Sequence, residues 1–208
     1  MKIGFLSTRL AGTDGVSLET HKWADVAQSM GHEVHYCAGQ LEENAPNATL
    51  IPELYFGDPE AVAIGEMVFG RMDPTEGLAR CLESATERLL ASLQDWLIES
   101  SIDVMVVENA LAIPMHVPLG LALTEFLSET RIPAIAHHHD FHWERDRFSV
   151  NGIPDFLEMA FPPRDPDIQH VVINQKAQED LSWRKGVSSM LVPNVLDFET
   201  PPPAMDPW

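Results

Sequence analysis

Residues 1–39 read MKIGFLSTRLAGTDGVSLETHKWADVAQSMGHEVHYCAG, and this stretch decides the fold. Lys2 to Ser7 is a short apolar run, followed by a polar loop from Thr8 to Gly15 that contains Gly12 and Gly15. Val16, Thr20, Trp23, Ala27 and Met30 then recur at spacings of 4, 3, 4 and 3, which is one face of an amphipathic helix. Gly31 is placed as its left-handed stop, and Glu33 to Ala38 predicts a second strand. Strand, loop, helix, strand is the opening of a βαβ unit.

The alternation continues downstream. Asp73, Pro74 and Glu76 offer an N-cap, a first-turn proline and a capping-box partner. Leu78, Leu82, Ala85, Leu89, Leu93, Trp96 and Leu97 form the buried stripe of the helix they would start, ending near Ser100. Ile102 to Val107 is a continuous apolar run, as in a strand covered on both faces. Residues 117–129 predict a helix and Pro133 to Ala136 a strand. His170 to Ile173 and Met190 to Val192 predict two more strands around a helix from about Gln175 to Lys185, with Asn174 as its cap. The expectation is an α/β fold: a single Rossmann-like, doubly wound domain over residues 1–193, with a mostly parallel sheet of about seven strands. Residues 194–208 carry Pro201, Pro202, Pro203 and Pro207 without any period, and read as an interdomain hinge or tail.

Composition narrows the function. The 208 residues hold 13 Lys+Arg against 32 Asp+Glu, a formal net charge of -19. Such a field repels phosphate backbones and anionic lipid, so no nucleic-acid partner is expected. No apolar stretch approaches about 18 residues, so no membrane span is expected either, and a cytoplasmic location follows. Cys37 and Cys81 are too few for a disulfide framework and lack metal-site spacing; both read as buried thiols.

In open α/β sheets ligands bind at the carboxyl ends of strands, and four such ends carry polar residues of interest, of which Asn174-Gln175-Lys176 reads as the helix cap already named. Arg9 to Ser17 (RLAGTDGVS) sets two glycines before a helix, which suits either phosphate contact or plain turn chemistry. Its spacing is not G-x-G-x-x-G, and Ala38-Gly39 stands where a dinucleotide fold would end its second strand in an acid, so an oxidoreductase is disfavoured. Glu108-Asn109 can hydrogen-bond sugar hydroxyls, or Asn109 can cap a turn. Another end is AHHHDFHWERDR, from Ala136 to Arg147. Strand alternation puts His137 and His139 on one face and His138 on the other. Zinc or iron ligation is one reading, a structural cluster another. Without H-E-x-x-H or a helical His pair, no metal is expected. The preferred reading is a substrate pocket in which His138, His139 and Asp140 hydrogen-bond substrate while Arg145 and Arg147 meet an anion.

The opening 39 residues, IPAIAHHHDFHWERDRF, HVVINQKAQEDL and SSMLVPNVLDFE together resemble the N-terminal domain of a family 4 glycosyltransferase of the two-Rossmann-domain (GT-B) type, across nearly the whole chain. That resemblance implies transfer of a sugar from a nucleotide sugar to an acceptor, usually with anomeric retention and often without metal or other cofactor. It implies that Gly12 and Gly15 lie near the donor diphosphate and that His139 is the catalytic residue beside the transferred sugar. Glu144, Arg145 and Arg147 would face the acceptor. Arg9 would add positive charge for the diphosphate. The family's C-terminal domain holds most of the nucleotide sugar, through an Arg/Lys pair and two glutamates, and no such segment is present in these residues. The expectation is therefore half an enzyme, inactive without a donor-binding partner domain. The alternatives are a non-catalytic sugar- or nucleotide-binding module on the same fold and a metal hydrolase built on the histidines.

Overall fold

The computed structural model describes residues 1–42 and 45–195. Most of the stretch expected as a hinge, from residue 196 on, lies outside the described residues. The chain runs β1 (Lys2–Ser7), α1 (Gly15–Ser29), β2 (Glu33–Ala38), β3 (Ala48–Leu50), α2 (Pro59–Val68), α3 (Leu78–Ser100), β4 (Val104–Glu108), α4 (Val117–Thr130), β5 (Ala134–His138), α5 (Pro154–Ala160), β6 (Ile168–Val172), α6 (Gln175–Lys185) and β7 (Ser189–Leu191). The seven strands form one all-parallel sheet in the order β3-β2-β1-β4-β5-β6-β7. This is the expected doubly wound α/β domain.

Alternation along the strands sorts side chains to two cores. Leu6, Met105, Val107, Ala134 and Ala136 join Leu89, Leu93 and Trp96 of α3 and Phe126 of α4 on one face. Phe5, Val34 and Val106 meet Ala24 and Ala27 of α1 on the other, and Ala177 and Leu181 of α6 pack nearby with Phe141 and Val172. Helices on both faces bury the central strand β4 twice over, which is why it reads as an unbroken apolar run, while the edge strands β3 and β7 stay partly exposed.

Three local expectations need correction. The buried residues of α1 are Ser17, Glu19, Thr20, Ala24 and Ala27, while Met30 is the exposed C-cap. The 3.6-residue period holds, and the buried stripe is rotated to the side that carries Ala24 and Ala27. Gly31, at φ 84°, does supply the left-handed stop. Helix α3 begins at Leu78 after Gly77, at φ 82°, not at Asp73; the Thr75 hydroxyl instead donates to the Met67 carbonyl and ties that loop to the end of α2. Cys37 is fully buried, but Cys81 is only partly covered.

Gly39, just past β2, packs against the backbone of Leu54 and Tyr55, where an added Cβ would come within 1.9 Å of the Tyr55 nitrogen. The glycine lets the segment after β3 lie across the strand end, and so brings Phe56 to the rim of the site. Among the described residues no helix is long and apolar enough to cross a membrane.

Candidate functional site

The strand order reverses between β1 and β4: β2 and β3 extend the sheet to one side of β1, and β4 to β7 to the other. Loops leaving β1 and β4 therefore diverge, and a crevice opens at their carboxyl ends. It holds a cleft of about 470 Å³. Of the residues singled out in the sequence, Arg9, Gly15, Glu108, Asn109, His139, Asp140 and Arg145 line it.

Asn109 organises the floor. It follows β4 at φ 59°, a left-handed conformation that asparagine tolerates better than most residues. Its Nδ2 donates to Asp140 Oδ1 at 2.9 Å, and its Oδ1 accepts from the His139 backbone N–H at 3.0 Å. Asp140 in turn accepts from Arg145 Nε through its other oxygen. One chain of bonds thus links the ends of β4 and β5 to the arginine at the rim and leaves both terminal amino groups of Arg145 unengaged by any hydrogen bond among the described residues. Ser7 adds a stitch from β1, its hydroxyl donating to the Glu108 carbonyl at 3.0 Å.

The opposite wall is the β1–α1 loop. Arg9 donates to Asp14 at 3.0 Å and stands over the Phe56 ring, 5.4 Å from its centroid. Asp14 caps α1: one oxygen accepts from the Val16 and Ser17 N–H groups at 3.1 and 3.2 Å, the other from the Ser17 hydroxyl at 2.8 Å. Burial works against the ionised Asp14, but the Ser17 hydrogen bonds and the Arg9 charge outweigh it and hold the carboxyl below its usual range. The helix N-terminus is therefore already served by a carboxylate, so a phosphate on this side meets Arg9 before it meets α1.

Beneath the floor sits Glu108, fully buried. Its Oε2 lies 3.0 Å from His137 Nδ1 and 3.4 Å from His139 Nε2. His137 is stacked between Trp23 of α1, at 4.5 Å, and the tilted ring of His139, at 4.6 Å. These three side chains bring donor atoms within 4.8 Å of one another, a set of types that zinc or iron also uses.

Four of the expected site residues stand outside the cleft. His138 faces the other side of the sheet, buried, with its Nε2 2.9 Å from His170 Nδ1. Glu144 accepts from the Phe141 N–H at 2.8 Å and closes a short turn. Arg147 lies on the Phe148 ring, 4.5 Å from its centroid, and Gly12 forms an open turn at φ 82°. Conversely, Asp14 and Phe56 belong to the cleft and were not singled out. Asp14 directly before Gly15 and a helix is a readable cap signal; nothing local marks Phe56.

No family model matches the chain. It is similar to the mannosylglucosylglycerate synthase of Petrotoga mobilis, 33% identical over 202 residues that cover 95% of this chain and 46% of the relative. It is likewise similar to the mannosylglucosylglycerate synthase of Thermotoga maritima, 34% identical over 206 residues, 97% of this chain and 46% of the relative. The chain spans about half the length of the curated relatives it matches.

Proposed function

We propose that this chain is the acceptor-side half of a glycosyltransferase of the family 4, two-Rossmann-domain type, moving a sugar from a nucleotide sugar to an acceptor with retention. One coincidence carries the reading: the match to two synthases of a glycoside runs through at least 95% of this chain, and its cleft at the switch point holds the residues a sugar needs. His139 stands by the transferred sugar. Asn109 and Asp140 hold the floor, and Arg9 meets the diphosphate leaving group in place of the capped helix end. The relatives' name describes a mannosyl unit joined to glucosylglycerate, so we take glucosylglycerate, or a glycoside like it that carries a carboxylate, as the acceptor. Arg145, with its terminal amino groups unengaged, is the partner for that carboxylate.

In this scheme the protein positions two substrates and stabilises a departing diphosphate, so the rate comes from proximity and electrostatics. The other half supplies most donor contacts, in keeping with the 46% of each relative that this chain matches. The purified 208-residue chain is therefore expected to release no nucleoside diphosphate from GDP-mannose or another nucleotide sugar, in a coupled assay with glucosylglycerate present. Turnover by the chain alone would contradict its assignment as a half.

A further inference from the structure

Glu108 ends β4 out of contact with water, and among the described residues no lysine or arginine pairs with it. Two imidazoles share one of its oxygens, His137 through Nδ1 and His139 through Nε2; Oε1 has no partner among the described residues. Burial disfavours the charged carboxylate, but hydrogen bonds from the two rings outweigh it and keep Glu108 below its ordinary range. An ionised carboxylate only accepts hydrogen bonds. Each ring nitrogen that faces it must therefore carry the hydrogen.

We infer that Glu108 is a positioning residue that locks His139 in its Nε2–H tautomer, so that Nδ1 is presented to the cleft as a hydrogen-bond acceptor. His139 Nδ1 makes no hydrogen bond among the described residues, and the ring lines the cleft. The arginines and Asn109 Nδ2 offer the cleft donors; the locked imidazole supplies the complementary acceptor, which a substrate hydroxyl needs for its own hydrogen. The ring cannot easily turn over. Its backbone is held by Asn109, and its ring lies tilted against His137, 4.6 Å between centroids, with His137 itself stacked on Trp23.

A metal ion is the competing occupant of the same three side chains, and His137 argues against it. Bound through Nδ1, that ring would bury an Nε2–H with no acceptor, because His137 Nε2 has no partner among the described residues. Metal-bound histidines nearly always donate from their second nitrogen. Hydrogen bonding to Glu108 leaves only a lone pair unmatched there. The link to a substrate hydroxyl rests on the glycosyl-transfer reading; the tautomer itself does not.

Long-range ¹H–¹⁵N NMR of the ring nitrogens in the 208-residue chain, at neutral pH, reads the tautomer without any turnover. His139 is assigned by the signals that vanish in His139→Asn. The expected spectrum has a protonated-type Nε2 and an unprotonated-type Nδ1. The opposite tautomer, a doubly protonated ring, or one equivalent of tightly held zinc would overturn the inference. In Glu108→Gln, whose amide also carries hydrogens, the single tautomer is expected to give way to a mixture. If the variant keeps the single tautomer with an unchanged backbone spectrum, Glu108 does not set it. The wild-type spectrum decides the tautomer even if that variant fails to fold.

Discussion

Replacing His139 with alanine, in a protein that joins this chain to a donor-binding half, is expected to slow sugar transfer on the order of 10²-fold or more. The loss should fall on kcat with little change in the acceptor KM, because the imidazole is assigned to the reacting sugar and not to the acceptor's carboxylate. The size follows from preorganisation: Glu108, His137 and Asn109 hold the ring before substrate arrives, so its hydrogen bond costs no reorganisation in the transition state. Arg145→Ala provides the contrast. It removes the exposed partner proposed for the acceptor and should raise the acceptor KM more than it lowers kcat. A His139→Ala protein that transfers sugar within a few-fold of wild type would remove His139 from its assigned place.

Acidification is expected to produce the second large effect, on stability. His170 is buried beside His138, and its imidazole is pushed down to about 4, chiefly by burial, with a partial offset from the nearby Pro163 carbonyl. Between that value and the ordinary 6.5 the unfolded chain binds more protons than the folded one. The stabilisation is therefore complete above about pH 6.5 and is lost as pH falls through about 4. For His170 alone the change from pH 8 to pH 4 comes to about 3 kcal/mol. His142, also lowered to about 4 by burial and then by Lys185 and Arg184, adds to the fall in the same window. His138 is lowered too, by its burial and then by His170. The depressed carboxylates Asp14 and Glu108 contribute in the same direction but at lower pH, since their stabilisation is present above the ordinary carboxylate range and lost below it. Urea unfolding at several pH values between 4 and 8 measures this, and His170→Gln should flatten the curve. A midpoint that stays constant from pH 8 to pH 4 would contradict it.

Both effects touch the histidines that end β5, and the pleat of that strand separates them. His137 and His139 fall on the face toward α1 and the cleft, whereas His138 falls on the side where it meets His170. That division was legible from alternation alone, as were β1, β2, β4, β5 and the caps at Asn174 and Gly31. Continuous apolar runs and punctuating glycines are local signals, and a doubly buried parallel strand needs little else. What escaped was non-local or short. β3 is three residues long, and α2 and α5 are brief helices whose apolar residues face neighbouring helices more than the sheet. Phe56 reaches the cleft only because Gly39 lets a distant segment cross the end of β2. The stack of Trp23 on His137 spans more than a hundred residues of sequence. Charge was misleading in one place: the WERDR run drew Glu144 and Arg147 into the expected site, yet only Arg145 is turned toward the cleft, because Asp140 holds it there.

Glucosylglycerate titrated into the ¹⁵N-labelled 208-residue chain tests directly whether the crevice between β1 and β4 binds the acceptor sugar, as proposed. Saturating backbone amide shifts centred on Asn109, His139, Asp140 and Arg145, and weakened in Arg145→Ala, are the predicted result. No shifts at millimolar ligand, or shifts centred away from the carboxyl ends of β1, β4 and β5, would contradict it.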